Sequence, residues 1–413
     1  MNKKQTIWTR NFILICLAGL ATNACMRMLD SNLASFASAA WDSKSLGGAL
    51  TSVFNVGSIV MAFFSGRLVD AKGRRRCLIF AALLFAVPTV AMGLFQTPAV
   101  ALTARLIQGV AKGVVTVAMA AIVSDITPRD RMNEGMGMFN LGSTISFAFG
   151  PMLGLALVDG GGYGMMFFVC AACYASAALF GAGINYEGGG AGKPAGPAPA
   201  AAPQPAREYK GVWKLIEKNA LLPALNHTIF FGGYACILVF VTVYAQEILQ
   251  LDSTRISLFY TVAAVVMLVV RLATSKLGDL FGPLSMIVPG HLAIAGSLLC
   301  LAFFAQGSYA AFLAAGGLYG AGNAVVMPAF NAVAVVDSPE DRNGTANATF
   351  YFMMDFGILF ASAGFGALMD AAADAAAGYR QMYLISVGIT ILSMVMAVAL
   401  FNNKARARRL QRA

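Results

Sequence analysis

Charge is what this chain has least of. Only 12% of its 413 residues are Asp, Glu, Lys or Arg, 58% are hydrophobic and the mean hydropathy is +0.71, whereas a soluble domain carries roughly 25% charged residues. That excludes a soluble globular domain and puts the chain in a bilayer. Histidine is nearly missing: His227 and His291 stand apart, with no Cys or carboxylate at metal-ligand spacing, so no metal site is expected. The seven cysteines lie in or beside apolar tracts without the paired external spacing of a disulfide framework, and Cys170 and Cys173 read as small packing residues. A phosphate-binding loop is also lacking. The nearest match, GAGKP, has Glu187 where the pattern needs Gly and Pro194 where it needs Ser or Thr, which argues against an ATP-driven pump. No nucleophile and base pair or soluble catalytic segment is visible, so neither enzyme activity nor a cofactor is expected.

What the chain does have is apolar tracts of about 20 residues, the length that crosses a hydrocarbon core as helix. They fall near 9–31, 45–66, 76–95, 98–122, 135–158, 163–185, 220–247, 253–274, 284–305, 308–336, 345–369 and 378–401. The net charge of +10 could suggest nucleic acid as a partner, but the position of the basic residues argues otherwise. With both termini and every even-numbered connection in the cytoplasm, 22 of the 29 Lys and Arg lie there, which is the positive-inside asymmetry. Between the sixth and seventh tracts, residues 188–208 are too rich in Gly and Pro for a helix or a core and read as a flexible connector.

A motif occurs twice. GRLVDAKGRRR runs from Gly66 to Arg76 and a worn copy, SKLGDLFG, from Ser275 to Gly282, so an offset of 209 superposes Asp70 on Asp279 and Gly73 on Gly282. Further along, an offset of 211 superposes Gly109 on Gly320, Arg131 on Arg342 and Asp159 on Asp370. Duplication predicts an all-α membrane protein of twelve transmembrane helices in two pseudo-symmetric six-helix bundles. The divisions are 1–186, a linker at 187–218, 219–403 and a basic tail at 404–413. A duplicated membrane protein is usually a transporter, because the interface between repeats can be exposed to either side in turn.

On these residues the chain resembles the major facilitator superfamily. Gly66, Leu68, Asp70, Gly73, Arg74, Arg75 and Leu78 match its signature GxLaDrxGrkxxl, and Arg105 with Gly109 matches its RxxxG pattern. FGPMLG, carrying Gly150, Pro151 and Gly154, is similar to the helix-5 motif of the proton-coupled drug exporters, with Ser146 and Leu155 in place of two glycines. The resemblance implies the major facilitator fold, a central cavity lined by helices 1, 4, 7 and 10, and a monomer as sufficient unit. It also implies a cytoplasmic latch, in which Asp70 meets the start of helix 11 when the cavity faces outward. Gly66, Gly73, Arg74, Arg131, Asp279, Gly282 and Arg342 belong to that latch or its repeat. A plain anchor to lipid headgroups is the alternative for Asp70 and Arg74 to Arg76. Gly150, Pro151 and Gly154 form either a bend with a sliding surface or a structural kink.

An ionisable side chain near the bilayer centre costs roughly 2.5–3.5 kcal/mol and survives mainly when it faces a cavity or a partner. Asn23, Arg27 and Asp30 share one face of the first helix, and Arg105, Gly109 and Lys112 one face of the fourth. Asp30 and Asp355 are the candidates for reversible protonation, the first being alternatively Arg27's permanent partner and the second a structural hydrogen-bond acceptor. Asn226, Tyr234 and Asn323 join Asn23, Arg27, Arg105 and Lys112 as candidate cavity residues. The expected function is secondary transport of a small molecule by alternating access in a bacterial inner membrane, with protons and the lipid bilayer as partners and efflux as the leading direction. A symporter or exchanger of a small organic anion is the alternative, from the excess of cations over Asp30 in the pocket.

Overall fold

The computed structural model describes residues 7–128, 131–185, 216–274, 283–336, 338–339 and 342–410. Eleven helices follow in order: α1 (Arg10–Trp41), α2 (Lys44–Lys72), α3 (Arg74–Leu94), α4 (Pro98–Ile126), α5 (Met132–Gly183), α6 (Lys218–Glu247), α7 (Ser253–Thr274), α8 (Leu284–Leu299, extended by a π turn at Cys300–Phe304), α9 (Tyr309–Val336), α10 (Asn343–Ala371) and α11 (Ala375–Leu410). There are no strands among the described residues.

Eleven helices make twelve crossings because α5 is two helices in one. Its 52 residues would span about 78 Å at 1.5 Å per residue, far beyond a core of about 30 Å. At Gly161 and Gly162 the dihedrals leave the helical region, and Gly162 takes φ 75°, which glycine adopts without a Cβ clash. The first arm climbs alongside α1, with Gly142 against Leu20 and Gly154 against Asn32. The second descends, from Tyr163 packed at a tilt on Phe36 to Asn185 hydrogen-bonded with Asn11. Twelve crossings therefore leave both chain ends on one face of the bundle, here the terminal side; the other is the far side.

Polar residues set the helix ends. The Thr9 hydroxyl accepts from Phe12 N, and the Ser43 hydroxyl from Leu46 N. Gly73, at φ 90°, closes α2 and opens α3. Helix α1 runs ten residues past its apolar tract, because Ser31 and Asn32 return their side chains to backbone carbonyls one turn back and are buried. A hydropathy tract ends at such residues; the helix does not.

Two separate hydrophobic cores form, one within residues 12–184 and one dominated by 220–397, so each set of six crossings is a bundle. The duplication holds at single atoms. A Cβ on Gly109 would lie 2.0 Å from the Phe54 carbonyl oxygen, and one on Gly320 would lie 2.0 Å from that of Ala263. Both contacts join equivalent helices of the two bundles, α4 on α2 and α9 on α7, and only a residue without a side chain permits either.

Candidate functional site

Between the bundles, α2 packs on α10, α5 on α7 and α1 on α6. Bonds across this seam run from the middle to the far side. At the far end Asp370 accepts from the Ser43 hydroxyl (2.9 Å) and from the backbone N–H groups of Lys44 (2.8 Å) and Ser45 (3.0 Å), the open start of α2. Glu247, closing α6, pairs with Lys44 at 3.0 Å and accepts from Ser38, while Asp159 accepts from Ser253 at 2.7 Å. Deeper in, the Ser52 and Ser362 hydroxyls meet at 2.8 Å and the Phe63 and Phe352 rings at 4.7 Å. Residues 31–37 of α1 and 230–237 of α6 are buried on every side, so the far side is shut. No bond across the seam lies nearer the terminal side than Phe63 among the described residues. At mid-height the Arg27 and Asp30 side chains stay 32% and 25% exposed, so a cleft reaches them.

The central ionisable groups meet in one chain. Arg105 on α4, 1% exposed, donates to Asp30 Oδ1 on α1 at 3.1 Å, to Gln108 Oε1 at 3.1 Å and to the Leu50 carbonyl at 3.3 Å, and lies over the Phe54 ring. Lys112, one turn on from Gln108, sits 5.4 Å from the centre of the same ring and gives both carboxylate oxygens of Asp355 a hydrogen bond, at 2.9 and 3.0 Å. Ser58 of α2 donates to Asp355 Oδ2 at 2.8 Å. Asp355, on α10, is thus held by two helices of the opposite bundle. Arg27 is different: its nearest carboxylate oxygen, Asp30 Oδ2, is at 3.7 Å, beyond hydrogen-bond reach, and its guanidinium lies 6.0 Å from the Phe147 ring centre.

Glycines at 150 and 154 bring α5 to this place. A Cβ on Gly150 would strike Arg27 Cβ at 2.6 Å, and one on Gly154 the Asn32 amide at 2.4 Å. Helical dihedrals run through Pro151, and the chain turns at Gly161 and Gly162 instead. The reversal at Gly161 and Gly162 separates two crossings, and within the first the glycines allow close approach to α1.

Other expected cavity residues divide. Asn23 returns its amide to the Gly19 carbonyl on the cleft face of α1. Tyr234 and Tyr319 pack ring to ring at 5.7 Å, with Asn323 Nδ2 3.4 Å from the Tyr319 hydroxyl. Asn226 faces away, its amide 2.6 Å from the Ser393 hydroxyl of α11 within the second bundle.

Of the latch residues, Gly66 and Asp70 are exposed, and Asp70 makes no hydrogen bond or ion pair among the described residues. Arg74 binds Asp125 at the end of α4, Arg131 binds Glu134, and Arg342 binds Glu217 at 2.7 Å. Asp279 and Gly282 lie outside the described residues. Asp159, Glu247 and Asp370, with the helix starts they meet, were not singled out as site residues by sequence. The superposition of Asp159 on Asp370 in the repeat marks those two, and no repeat pair marks Glu247.

The family model of the Major Facilitator Superfamily matches residues 15–362. The chain is 25% identical over 362 residues to a protein named multidrug resistance protein MdtG from Escherichia coli, covering 84% of this chain and 82% of that one. It is 22% identical over 338 residues to an uncharacterized MFS-type transporter of Methanocaldococcus jannaschii, covering 81% and 82%. Among solved structures, a bacterial homologue of the human lysosomal transporter Spinster, in an inward-facing and unoccupied conformation, superposes with a TM-score of 0.74 at 13% identity, covering 95% of this chain and 97% of that one. With its profile matched over most of its length and two duplicated six-helix bundles around a cleft, this chain belongs to the Major Facilitator Superfamily of membrane transporters.

Proposed function

We propose that this transporter works by alternating access and couples efflux of a small amphipathic compound to proton entry across a bacterial inner membrane, as a monomer with both termini in the cytoplasm. The basic residues support the orientation: the terminal side collects 22 of the 29 Lys and Arg. The cleft then faces the cytoplasm, where an exporter loads. Efflux is supported by similarity to a protein named for multidrug resistance and by the glycines of α5 that resemble the exporter motif.

The ion pair of Lys112 with Asp355 carries the proton reading. It joins the bundles at mid-seam, so opening the far side must separate it. A proton on Asp355 removes its charge and weakens the bonds from Lys112 and Ser58, each worth about 1.5–3 kcal/mol when charge-assisted. In the far-side-open state Asp355 takes up a proton from outside, and once that side has closed the pair with Lys112 re-forms as the proton leaves to the cytoplasm, so each cycle carries a proton inward. One charge crossing 100 mV supplies about 2.3 kcal/mol, enough to drive a steep solute gradient without ATP.

The test is dye and drug flux in proteoliposomes under an imposed pH gradient. Asp355→Asn is expected to lose proton-driven flux while keeping exchange of solute down its own gradient. Full proton-driven flux in both Asp355→Asn and Asp30→Asn rejects the assignment.

A further inference from the structure

We infer that the solute is an organic anion with a flat apolar body, and that Arg27 holds its acidic group. The inference rests on the transporter reading above but not on its direction or on protons. It starts from the charge balance of the cleft. Three cations, Arg27, Arg105 and Lys112, face two carboxylates, Asp30 and Asp355. Two of the cations are matched: Arg105 to Asp30 and Lys112 to Asp355, each within 3.1 Å and each with further hydrogen bonds. Arg27 is left over. It touches only the far oxygen of a carboxylate already held by Arg105, and none of its five N–H donors makes a hydrogen bond among the described residues. Arg271, the other membrane arginine, lies in the last turn of α7 at the terminal-side end of its crossing.

A guanidinium near the middle of a membrane helix survives mainly where it faces a cavity or a partner, and Arg27 has no hydrogen-bonded protein partner among the described residues. Its planar fork matches carboxylate, sulfonate and phosphate oxygens. Arg27 is accessible, its side chain 32% exposed, and it lies on the α1 face that looks into the open cleft. Gly150 and Phe147 of α5 close off its other side.

The surroundings fit the rest of the solute. The Phe147 ring stacks on Tyr319 of the opposite bundle at 6.0 Å and 26°, and Tyr319 packs on Tyr234. Phe147, partly exposed, is the apolar face beside the guanidinium, and Tyr319 and Tyr234, each 1% exposed, back it from the second bundle. A cationic drug placed here meets Arg27 with like charge and no free carboxylate, since both are already engaged.

The test uses matched sets differing only in charge: benzoate, 2-naphthoate and indole-3-acetate against the corresponding primary ammonium and alcohol compounds. Binding to purified protein is read by thermal shift and calorimetry, and transport in proteoliposomes separately. At least one anion is expected to bind about tenfold tighter than its cationic and neutral partners. Arg27→Gln abolishes that preference, and Arg27→Lys restores part of it. Equal or weaker binding of every anion, or an anion preference that survives in a folded Arg27→Gln protein, overturns the inference. Preferred binding of anions without flux of any of them leaves the inference standing and counts against the transporter reading, so the two fail separately.

Discussion

Arg105 is the least exposed charge among the described residues, and what keeps it there is a set of acceptors that no stretch of sequence displays together. Asp30 comes from α1, the Leu50 carbonyl from α2 and Gln108 from its own helix, and Gln108 is held in turn by the Thr89 hydroxyl of α3 at 2.8 Å. Removing one partner of such a pair strands the other in a medium that cannot solvate it, at about 3–5 kcal/mol. Asp30→Ala should therefore lower the thermal unfolding midpoint of the detergent-solubilised protein by about that free energy, with Asp30→Asn less damaging because its amide oxygen still accepts. Adding Arg105→Gln to Asp30→Ala should recover part of the loss, since the stranded charge is then gone. An unchanged midpoint in Asp30→Ala means that Arg105 draws its support elsewhere. Spacing alone put Asp30 with Arg27, one turn away. The dominant partner sits 75 residues on, and sequence order carries no record of that neighbour.

At the scale of helices, the two bundles close their far side with the same device used twice. The first arm of α5 ends near Asp159, which reaches the start of α7; α10 ends near Asp370, which reaches the start of α2. Both carboxylates accept from the start of a helix in the opposite bundle, where unpaired N–H groups and the helix dipole favour negative charge. The repeat register superposes these aspartates and also brings Lys44 onto Ser253, yet it does not say that the contacts cross between bundles. That follows only once α2 lies on α10 and α7 on α5. Replacing a capping carboxylate costs about 0.5–2 kcal/mol, and this contact exists only while the far side is closed. Asp370→Ala is expected to shift the equilibrium about fivefold toward the far-side-open state, and Asp159→Ala with Asp370→Ala about 25-fold. Distance distributions between spin labels on the far ends of α2 and α10 measure the shift. Unmoved distributions in the double variant show that the caps do not hold the gate.

For the whole molecule, most of the architecture was legible because a bilayer allows few solutions: tract length gave the crossings and the duplicated motif gave the two bundles. What composition could not give was the direction in which the cleft opens, because that depends on which of two packings of the same surfaces is adopted. Among the described residues one asymmetry bears on it. Bonds across the seam begin at Phe63 and Phe352 and continue to Asp370, while Asp70, the expected latch at the terminal side, stands exposed. If transport needs the opposite packing as well, then locking the far-side seam must stop it. Ser45→Cys with Asp370→Cys, in a background whose seven native cysteines are replaced, puts two thiols where a backbone N–H now meets a carboxylate oxygen at 3.0 Å. Oxidation is expected to abolish flux in proteoliposomes and a reductant to restore it, with each single-cysteine protein unaffected by either reagent. Undiminished flux through the crosslinked protein would mean that solute passes without the bundles rocking apart, and the two-sided cleft would no longer explain the duplicated fold.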